Sequence, residues 1–290
     1  MKSFRYEVPR TVEEAVALLA KGNGDARVLA GGTDLIVQMR TGVRHLRLIV
    51  DVKRIPETLR LEFDGTVLRL GAAVPCAEIR EHRELRRIFP GFLEAAELIG
   101  SEQIQGRASV GGNVCNASPA ADTVPALIAL GAECVIAGPE RTRSVPVEAF
   151  ATGPGETVLQ TGELLVELRI PAPPTGSGDA YLRFTPRTEM DIAVVGAGVC
   201  VTLDGEGRCT AARVALGAVA PTAIRVPAAE EALVGTDLGT EALELAAEEA
   251  RAAARPIDDL RAPAWYRRHL AGVLTRRSLA IARDRATRRA

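Results

Sequence analysis

Two glycine pairs are the residues of this sequence whose type and spacing suggest chemistry. Gly31-Gly32 leads into Thr33-Asp34, and Gly111-Gly112-Asn113 is followed by Ser118-Pro119 and an apolar helical pattern. Glycine lets backbone N–H groups approach a ligand without an intervening side chain, and a capped helix start carries unpaired donors and partial positive charge. We therefore predict two bare loops, each ahead of a helix start, with the second helix beginning at Pro119. Two such loops that converge would bind a diphosphate without a lysine cluster.

A purely structural interpretation of both glycine pairs stays open, since each could be a tight turn before a capped helix. Neither pair fits G-x-x-x-x-G-K-[ST], so the sequence excludes a P-loop nucleotidase. The run VVGAGVCVTL (194–203) begins like G-x-G-x-x-G, but Val201 stands at the position of the third glycine. Because this run is apolar and opens no helix, it predicts a buried strand rather than a dinucleotide-binding turn.

The composition excludes several other classes of protein. The chain has 290 residues and a formal net charge of −1, which argues against nucleic-acid binding. No apolar run approaches the roughly 20 residues that span a membrane, and the N-terminus lacks the apolar core of a signal peptide. The five cysteines are odd in number and never form C-x-x-C, so neither a disulfide framework nor a metal or iron–sulfur site is expected. We predict a cytoplasmic protein with reduced thiols and no transmembrane segment.

Local patterns predict the elements that must position the first glycine pair. The capping box Thr11-Val12-Glu13-Glu14 starts a first helix. The apolar runs ARVLA (26–30) and LRLIVDV (46–52) predict strands on either side of a second helix, from Thr33 to about Arg40. Strand, crossover and strand so close together predict a small parallel βαβ unit.

The rest of the chain predicts strands followed by helices. Asp64-Gly65 between two alternating runs predicts a hairpin, residues 75–100 have a helical pattern, and strands are expected at 133–138 and 163–171. PAPPTGSGD (171–179) predicts a linker, because it is rich in Pro and Gly and almost free of large apolar residues. Strands and then helices beyond this linker indicate an α+β class.

Four motifs in the same order resemble a known family: LAGGTDLIVQMR, SVGGNVCNASPAADTVPAL, ELLVELRIP and R-x-x-MDIAVVGAGV. Together they are similar to the FAD-binding medium subunit of the molybdenum hydroxylases, of the carbon monoxide dehydrogenase type, and to the FAD domain of xanthine dehydrogenase. The resemblance implies an α+β, PCMH-type FAD-binding fold in three parts. These are a small βαβ subdomain (1–57), a second α/β subdomain (58–175) and a C-terminal domain (176–290) with a three-stranded antiparallel sheet and helices.

The resemblance also assigns FAD contacts to particular residues. The first segment supplies residues around the diphosphate and ribityl chain: Val28, Leu29, Ala30, Gly31, Gly32, Thr33, Asp34 and Leu35. The second supplies Ser109, Gly111, Gly112, Asn113 and Asn116. Asp122 matches a carboxylate that accepts hydrogen bonds from the cofactor, Leu164 and Leu165 match apolar neighbours of the cofactor, and Arg183 stands where the family often has lysine. Without the resemblance, Asp122 could complement a helix dipole, Arg183 could be a surface charge, and the two leucines could be core residues.

The function implied is that of an electron-transferring subunit with no catalytic residue of its own. The sequence offers no nucleophile–base pair, so a cofactor must carry the redox chemistry. The resemblance implies that electrons from [2Fe–2S] clusters of a small subunit reach FAD here and pass to an external acceptor. A large molybdopterin subunit would oxidise the substrate, in a dimer of heterotrimers. A self-sufficient FAD-dependent oxidase or reductase, and a cofactor-free scaffold subunit, remain alternatives. The arginine-rich end, 276–289, is expected to be a solvated helix face or a partner contact.

Overall fold

Strands and helices of the protein follow the predicted order. The computed structural model describes residues 3–22, 24–188 and 190–289. The strands are β1 (Arg5–Glu7), β2 (Ala26–Leu29), β3 (Leu48–Asp51), β4 (Leu61–Phe63), β5 (Val67–Gly71), β6 (Glu133–Ala137), β7 (Thr142–Pro146), β8 (Ala151–Gly153), β9 (Glu156–Thr157), β10 (Leu164–Pro171), β11 (Ser177–Phe184), β12 (Val195–Leu203), β13 (Cys209–Gly217) and β14 (Ile224–Arg225). The helices are α1 (Val12–Lys21), α2 (Leu35–Arg40), α3 (Cys76–Glu81), α4 (Arg83–Ile88), α5 (Pro90–Glu97), α6 (Glu102–Gln105), α7 (Val110–Asn116), α8 (Thr123–Ala129), α9 (Pro227–Glu231), α10 (Thr240–Ala253) and α11 (Ala264–Thr287). The predicted α+β class is confirmed.

The first sheet is the predicted parallel unit, with the strand order β1-β3-β2. Helix α1 covers it through an apolar cluster that includes Ala15, Leu19 and Val50. The Thr11 hydroxyl accepts a hydrogen bond from the Glu14 N–H at 3.2 Å, as a capping box requires. The Glu14 carboxylate, however, accepts from the N–H of Arg10 rather than that of Thr11. Because the strands are parallel, the segments after β2 and β3 meet at one edge of the sheet.

The second sheet is antiparallel and has the order β4-β5-β10-β6-β7. Its hairpin turns at Asp64-Gly65 as predicted, with the Asp64 carboxylate accepting backbone hydrogen bonds from Thr66 and Val67. Helices α3 to α8 pack around a core in which Phe89, Phe92 and Leu127 are fully buried. This core holds the second glycine pair against the sheet.

The third sheet has the order β11-β12-β13-β14, and α10 and α11 pack with it in one core. The expected three-stranded antiparallel sheet is present as β11, β12 and β13, but a short fourth strand, β14, extends it by pairing two residues with Ala215 and Leu216. The apolar run 194–203 forms the buried strand β12, as predicted. The predicted linker is shorter than 171–179, because β10 extends to Pro171 and β11 begins at Ser177.

The arginine-rich C-terminus contacts the second sheet's helices. Arg285 donates hydrogen bonds to the Glu94 carboxylate and, at 2.7 Å, to the carbonyl of Asp179. Arg289 donates to the carbonyls of Ile88 and Ser177. The expectation of a solvated face or a partner contact is therefore wrong for these two arginines, because carbonyl and carboxylate groups of the same chain accept from them.

Gly178 lies where α11 meets β11, and replacing it is expected to separate the two elements. A Cβ at this position would lie 2.6 Å from the backbone nitrogen of Ala286 and against the carbonyl of Ala282. We expect Gly178→Ala to lower the free energy of unfolding by about 1–3 kcal/mol, the usual cost of overpacking, measured from the midpoint of urea unfolding. Gly205→Ala is the matched control, because a Cβ at Gly205 would meet no heavy atom within 4 Å. Equal midpoints for the two variants would contradict the prediction.

Candidate functional site

One cleft, with a volume of about 630 Å³, takes its lining from both glycine segments. That volume is in the range of cofactor and ligand sites, about 300–1,000 Å³. Fourteen of the predicted cofactor residues line it: Val28, Ala30, Gly31, Gly32, Thr33, Asp34, Leu35, Ser109, Gly111, Gly112, Asn113, Asn116, Leu164 and Leu165. Leu29, Asp122 and Arg183 are outside the lining. Leu29 packs with Met39 and Ile49 instead.

The two glycine segments touch each other. A Cβ at Gly31 would lie against the carbonyl of Arg107 and 2.9 Å from the Cα of Ala108, directly before the second segment. Asn116 links the segments through its side-chain amide, which accepts from Gln38 at 3.1 Å and donates to Asp34 at 3.3 Å. The predicted convergence of the two segments is therefore present in the fold.

The local conformation of the second segment differs from the prediction. Gly111 and Gly112 lie within helix α7, whose N-cap is Ser109, and the Ser109 hydroxyl accepts from the Gly112 N–H at 3.1 Å. Ala117, in the left-handed conformation with φ 48°, ends this helix. The next helix begins at Thr123 and not at Pro119. The prediction of a bare loop was wrong because Ser109 caps a helix earlier than the Ser118-Pro119 pair does.

The first segment is a loop, as predicted, but its capping differs. Asp34 occupies the N-cap position of α2, yet its side chain makes no capping hydrogen bond. The Asp34 carboxylate instead accepts from Asn116. Burial raises the pKa of Asp34, while a hydrogen bond from Thr33 opposes the rise.

Packing or backbone conformation explains why three of the four positions in the two glycine pairs require glycine. Gly31 abuts the second segment, Gly32 has a φ of +76°, and a Cβ at Gly111 would lie 2.5 Å from the Cα of Ala72. At Gly112, a Cβ would meet one described heavy atom within 4 Å, the Ser109 hydroxyl at 3.0 Å. Gly112 therefore leaves open a part of the cleft that a side chain would fill, which is how a protein admits a ligand to its backbone.

The cleft has further polar lining beyond the predicted cofactor residues. These residues come from β2, from the region around α2 and from the segment 152–163: Arg27, Gln38, Arg44, Thr152, Glu156, Thr157, Gln160, Thr161 and Glu163. Arg44 donates to the side chain of Gln38 at 2.9 Å. Burial lowers the pKa of Arg27, and the nearby charge of Arg44 lowers it further. Only the alternation of Arg27 with apolar neighbours in β2 offered a sequence signal.

Cys115 also lines the cleft, and its burial disfavours the reactive thiolate form. Burial raises its pKa to about 12, so the thiol is protonated at neutral pH. All five cysteines lie in the described part of the chain and are free. The described residues contain no group of three or more His, Cys, Asp or Glu side chains that could hold a metal ion.

Asp122 and Arg183 form a buried ion pair beside the second segment. An Arg183 nitrogen lies 2.6 Å from the Asp122 carboxylate, and the Tyr181 hydroxyl donates to the other oxygen at 2.8 Å. Burial raises the pKa of Asp122 to about 6, although Arg183 and Tyr181 oppose the rise. Arg183 is therefore not a surface charge. Thr123, next to Asp122, donates to Asn113 at 2.6 Å and connects the pair to the cleft lining.

The comparisons with known families cover nearly the whole chain. Residues 2–173 match the model for the FAD binding domain in molybdopterin dehydrogenase, and residues 180–282 match the model for the CO dehydrogenase flavoprotein C-terminal domain. The chain belongs to the molybdopterin dehydrogenase flavoprotein family. FAD is therefore its cofactor, and the protein is the medium, FAD-binding subunit of a molybdenum hydroxylase and an oxidoreductase component.

Relatives of this flavoprotein match over nearly their whole length. The carbon monoxide dehydrogenase medium chain of Afipia carboxidovorans is 37% identical, with 98% of each chain covered. The xanthine dehydrogenase FAD-binding subunit of Escherichia coli O157:H7 is 33% identical, covering 96% of this chain and 95% of the relative.

Solved structures of related enzymes share the fold. The reconstituted CO dehydrogenase from Oligotropha carboxidovorans contains a chain that is 37% identical with a TM-score of 0.94, covering 98% of this chain and 99% of that one. A chain of quinoline 2-oxidoreductase from Pseudomonas putida 86 is 28% identical, with a TM-score of 0.90 and 99% of each chain covered. Among the described residues of the flavoprotein, no helix combines the length and apolarity that a membrane crossing requires.

Proposed function

We propose that the flavoprotein takes electrons from the [2Fe–2S] clusters of a small partner subunit and passes them, through FAD, to an external acceptor. A large molybdopterin subunit would oxidise the substrate, and the complex would be a dimer of heterotrimers. FAD, when bound, supplies redox chemistry in which electrons can be accepted and donated either one at a time or in pairs. The convergence of both glycine segments on one cleft is the observation that carries the proposal.

The proposed role of this chain's own residues is to bind and orient the cofactor. The two glycine segments, with Gly112 as the open position, would surround the diphosphate. Leu164 and Leu165, which are 1% and 4% exposed, would contribute apolar contact at the wall of the cleft. Asp122 and Arg183 stay proposed cofactor contacts, and they are joined to the second segment through Thr123 and Asn113.

The proposed domain division follows the sheets. It assigns the parallel sheet to 1–57, the five-stranded sheet to 58–175 and the sheet that packs with α11 to 176–290. The cleft then takes its lining from the first two parts. The third part would contribute through Arg183 on β11.

Purification of the chain without partners tests the proposed function. We expect a yellow protein with about one FAD per chain, because both glycine segments that line the cleft belong to this chain. Substrates of molybdenum hydroxylases should reduce this flavin only after the iron–sulfur and molybdopterin subunits are added, as followed by bleaching of flavin absorbance. Reduction by substrate without partners would favour a self-sufficient oxidase, and failure to bind added FAD would favour a scaffold; either result overturns the proposal.

A further inference from the structure

Lys53 and Asp51 lie at the edge of the parallel sheet where the first glycine segment begins. Asp51 is the last residue of β3, the central strand, and is 6% exposed. The segment after the neighbouring strand β2 starts with Ala30, which directly precedes Gly31-Gly32. Neither Asp51 nor Lys53 lines the cleft, whereas Ala30 and Gly31 do.

The Lys53 ammonium group joins Asp51 to this segment. It donates to the Asp51 carboxylate at 2.7 Å and to the carbonyl oxygen of Ala30 at 3.0 Å. The Lys53 N–H and the Tyr6 hydroxyl also donate to Asp51. Burial would raise the pKa of Asp51, but these hydrogen bonds hold it below its ordinary value. The Asp51 carboxylate is therefore charged at neutral pH, and it fixes the position of the Lys53 ammonium group.

A planar trans peptide turns its carbonyl and its N–H in opposite directions. When Lys53 holds the Ala30 carbonyl, the N–H of Gly31 must point away from Lys53. Gly31 also abuts another part of the chain, because a Cβ built on it would lie against the carbonyl of Arg107 and the Cα of Ala108. The Ala30–Gly31 peptide is therefore held from two sides.

We propose that Lys53, itself held by Asp51, is a positioning residue that sets the orientation of the Gly31 N–H toward the diphosphate of the cofactor. This inference rests on the proposed placement of FAD at the two glycine segments. A lysine outside the cleft thus contributes to affinity for the diphosphate without touching it. An ion pair with a purely structural role would affect every ligand of the cleft alike.

Binding of FAD, ADP and adenosine to Lys53→Met tests the proposal, with affinities measured on flavin-free full-length chain. We expect FAD and ADP to bind about tenfold more weakly than to the wild type, the equivalent of one hydrogen bond. Adenosine, which lacks phosphate, should bind to the variant with the same affinity as to the wild type. Lys53→Arg, which keeps a cationic donor, should recover most of the affinity. Lys21→Met, on the exposed end of α1, is the matched control and should bind all three ligands normally.

The outcomes separate this inference from the proposed function. A wild type that binds neither FAD nor ADP overturns the proposed function. The role of Lys53 is overturned if the wild type binds FAD and ADP and the Lys53→Met variant binds them equally well. It is also overturned if the variant's affinity for adenosine falls as much as its affinity for FAD and ADP. If the variant does not fold, Asp51→Asn decides, because it removes the carboxylate that fixes the Lys53 ammonium group: FAD and ADP should bind more weakly than to the wild type and adenosine equally well, and unchanged affinities for FAD and ADP refute the proposal.

Discussion

Gly112→Val is expected to abolish retention of FAD while leaving the fold intact. Apart from the backbone of its own helix, a Cβ at Gly112 would meet only the Ser109 hydroxyl, at 3.0 Å, among the described atoms within 4 Å, so a small shift of the Ser109 side chain is enough to admit it. The rest of the valine side chain would occupy the cleft where the diphosphate is proposed to bind. If the valine side chain removes two hydrogen bonds between backbone N–H groups and the charged diphosphate, the affinity for FAD falls by at least about 100-fold. Flavin absorbance of the purified variant measures the loss, and circular dichroism reports the fold.

Two further glycines make this result interpretable. Gly111→Val should lose FAD through misfolding, because its Cβ would lie 2.5 Å from the Cα of Ala72. Gly205→Val should keep both FAD and stability, since no heavy atom lies within 4 Å of its Cβ. A Gly112→Val protein with a normal FAD content would show that the diphosphate does not lie against Gly112.

Elements whose formation depends on local pattern could be predicted from the sequence. Strands β2, β3 and β10 are short apolar runs. Strand β12 was distinguished from a dinucleotide fingerprint by Val201 at the third glycine position and by an apolar run that opens no helix. Helix α1 follows from its capping signal, of which the Thr11 hydroxyl cap forms. In each case the residues that decide the conformation are within a few positions of one another.

The second glycine segment shows where local reasoning was insufficient. Two capping signals compete there, Ser109 before Gly111-Gly112 and Ser118 before Pro119. Packing decides between them, because Gly111 must lie against Ala72 and a helix from Ser109 achieves this contact. Ala72 lies on a different part of the chain, so neighbouring residues gave no signal for the outcome.

The rest of the cleft depends on long-range contacts. The segment 152–162, before the ELLVELRIP motif, carries no motif of its own, yet it supplies Thr152, Thr157 and Gln160 to the lining. Likewise, Asp122 and Arg183 are separated by 61 positions and meet because β11 packs near the start of α8. Sequence reasoning alone left Arg183 open as a surface charge, since nothing near it in the chain indicates its partner.

Arg183→Met is expected to cause the largest loss of stability. It removes the cation next to Asp122 in a site where the two side chains are 6% and 10% exposed, and it leaves a buried carboxylate without its charged partner. We expect the free energy of unfolding at pH 8 to fall by about 3–5 kcal/mol, measured by urea unfolding. Asp122→Asn should also destabilise the protein, because it leaves the Arg183 guanidinium unpaired.

The loss should depend on pH in a defined direction. In the wild type, burial raises the pKa of Asp122 to about 6, and removing Arg183 raises it further, since the attraction that favoured the charged form is gone. The free energy of unfolding of the variant is therefore furthest below that of the wild type when the pH exceeds both pKa values of Asp122. This difference in stability shrinks as the pH falls toward 5, because Asp122 is then protonated in both proteins. The double variant Asp122→Asn/Arg183→Met should regain part of the stability and lose this pH dependence, because no buried charge remains. An Arg183→Met loss of equal size at pH 5 and pH 8 would show that packing of the arginine side chain, and not its charge, stabilises this contact.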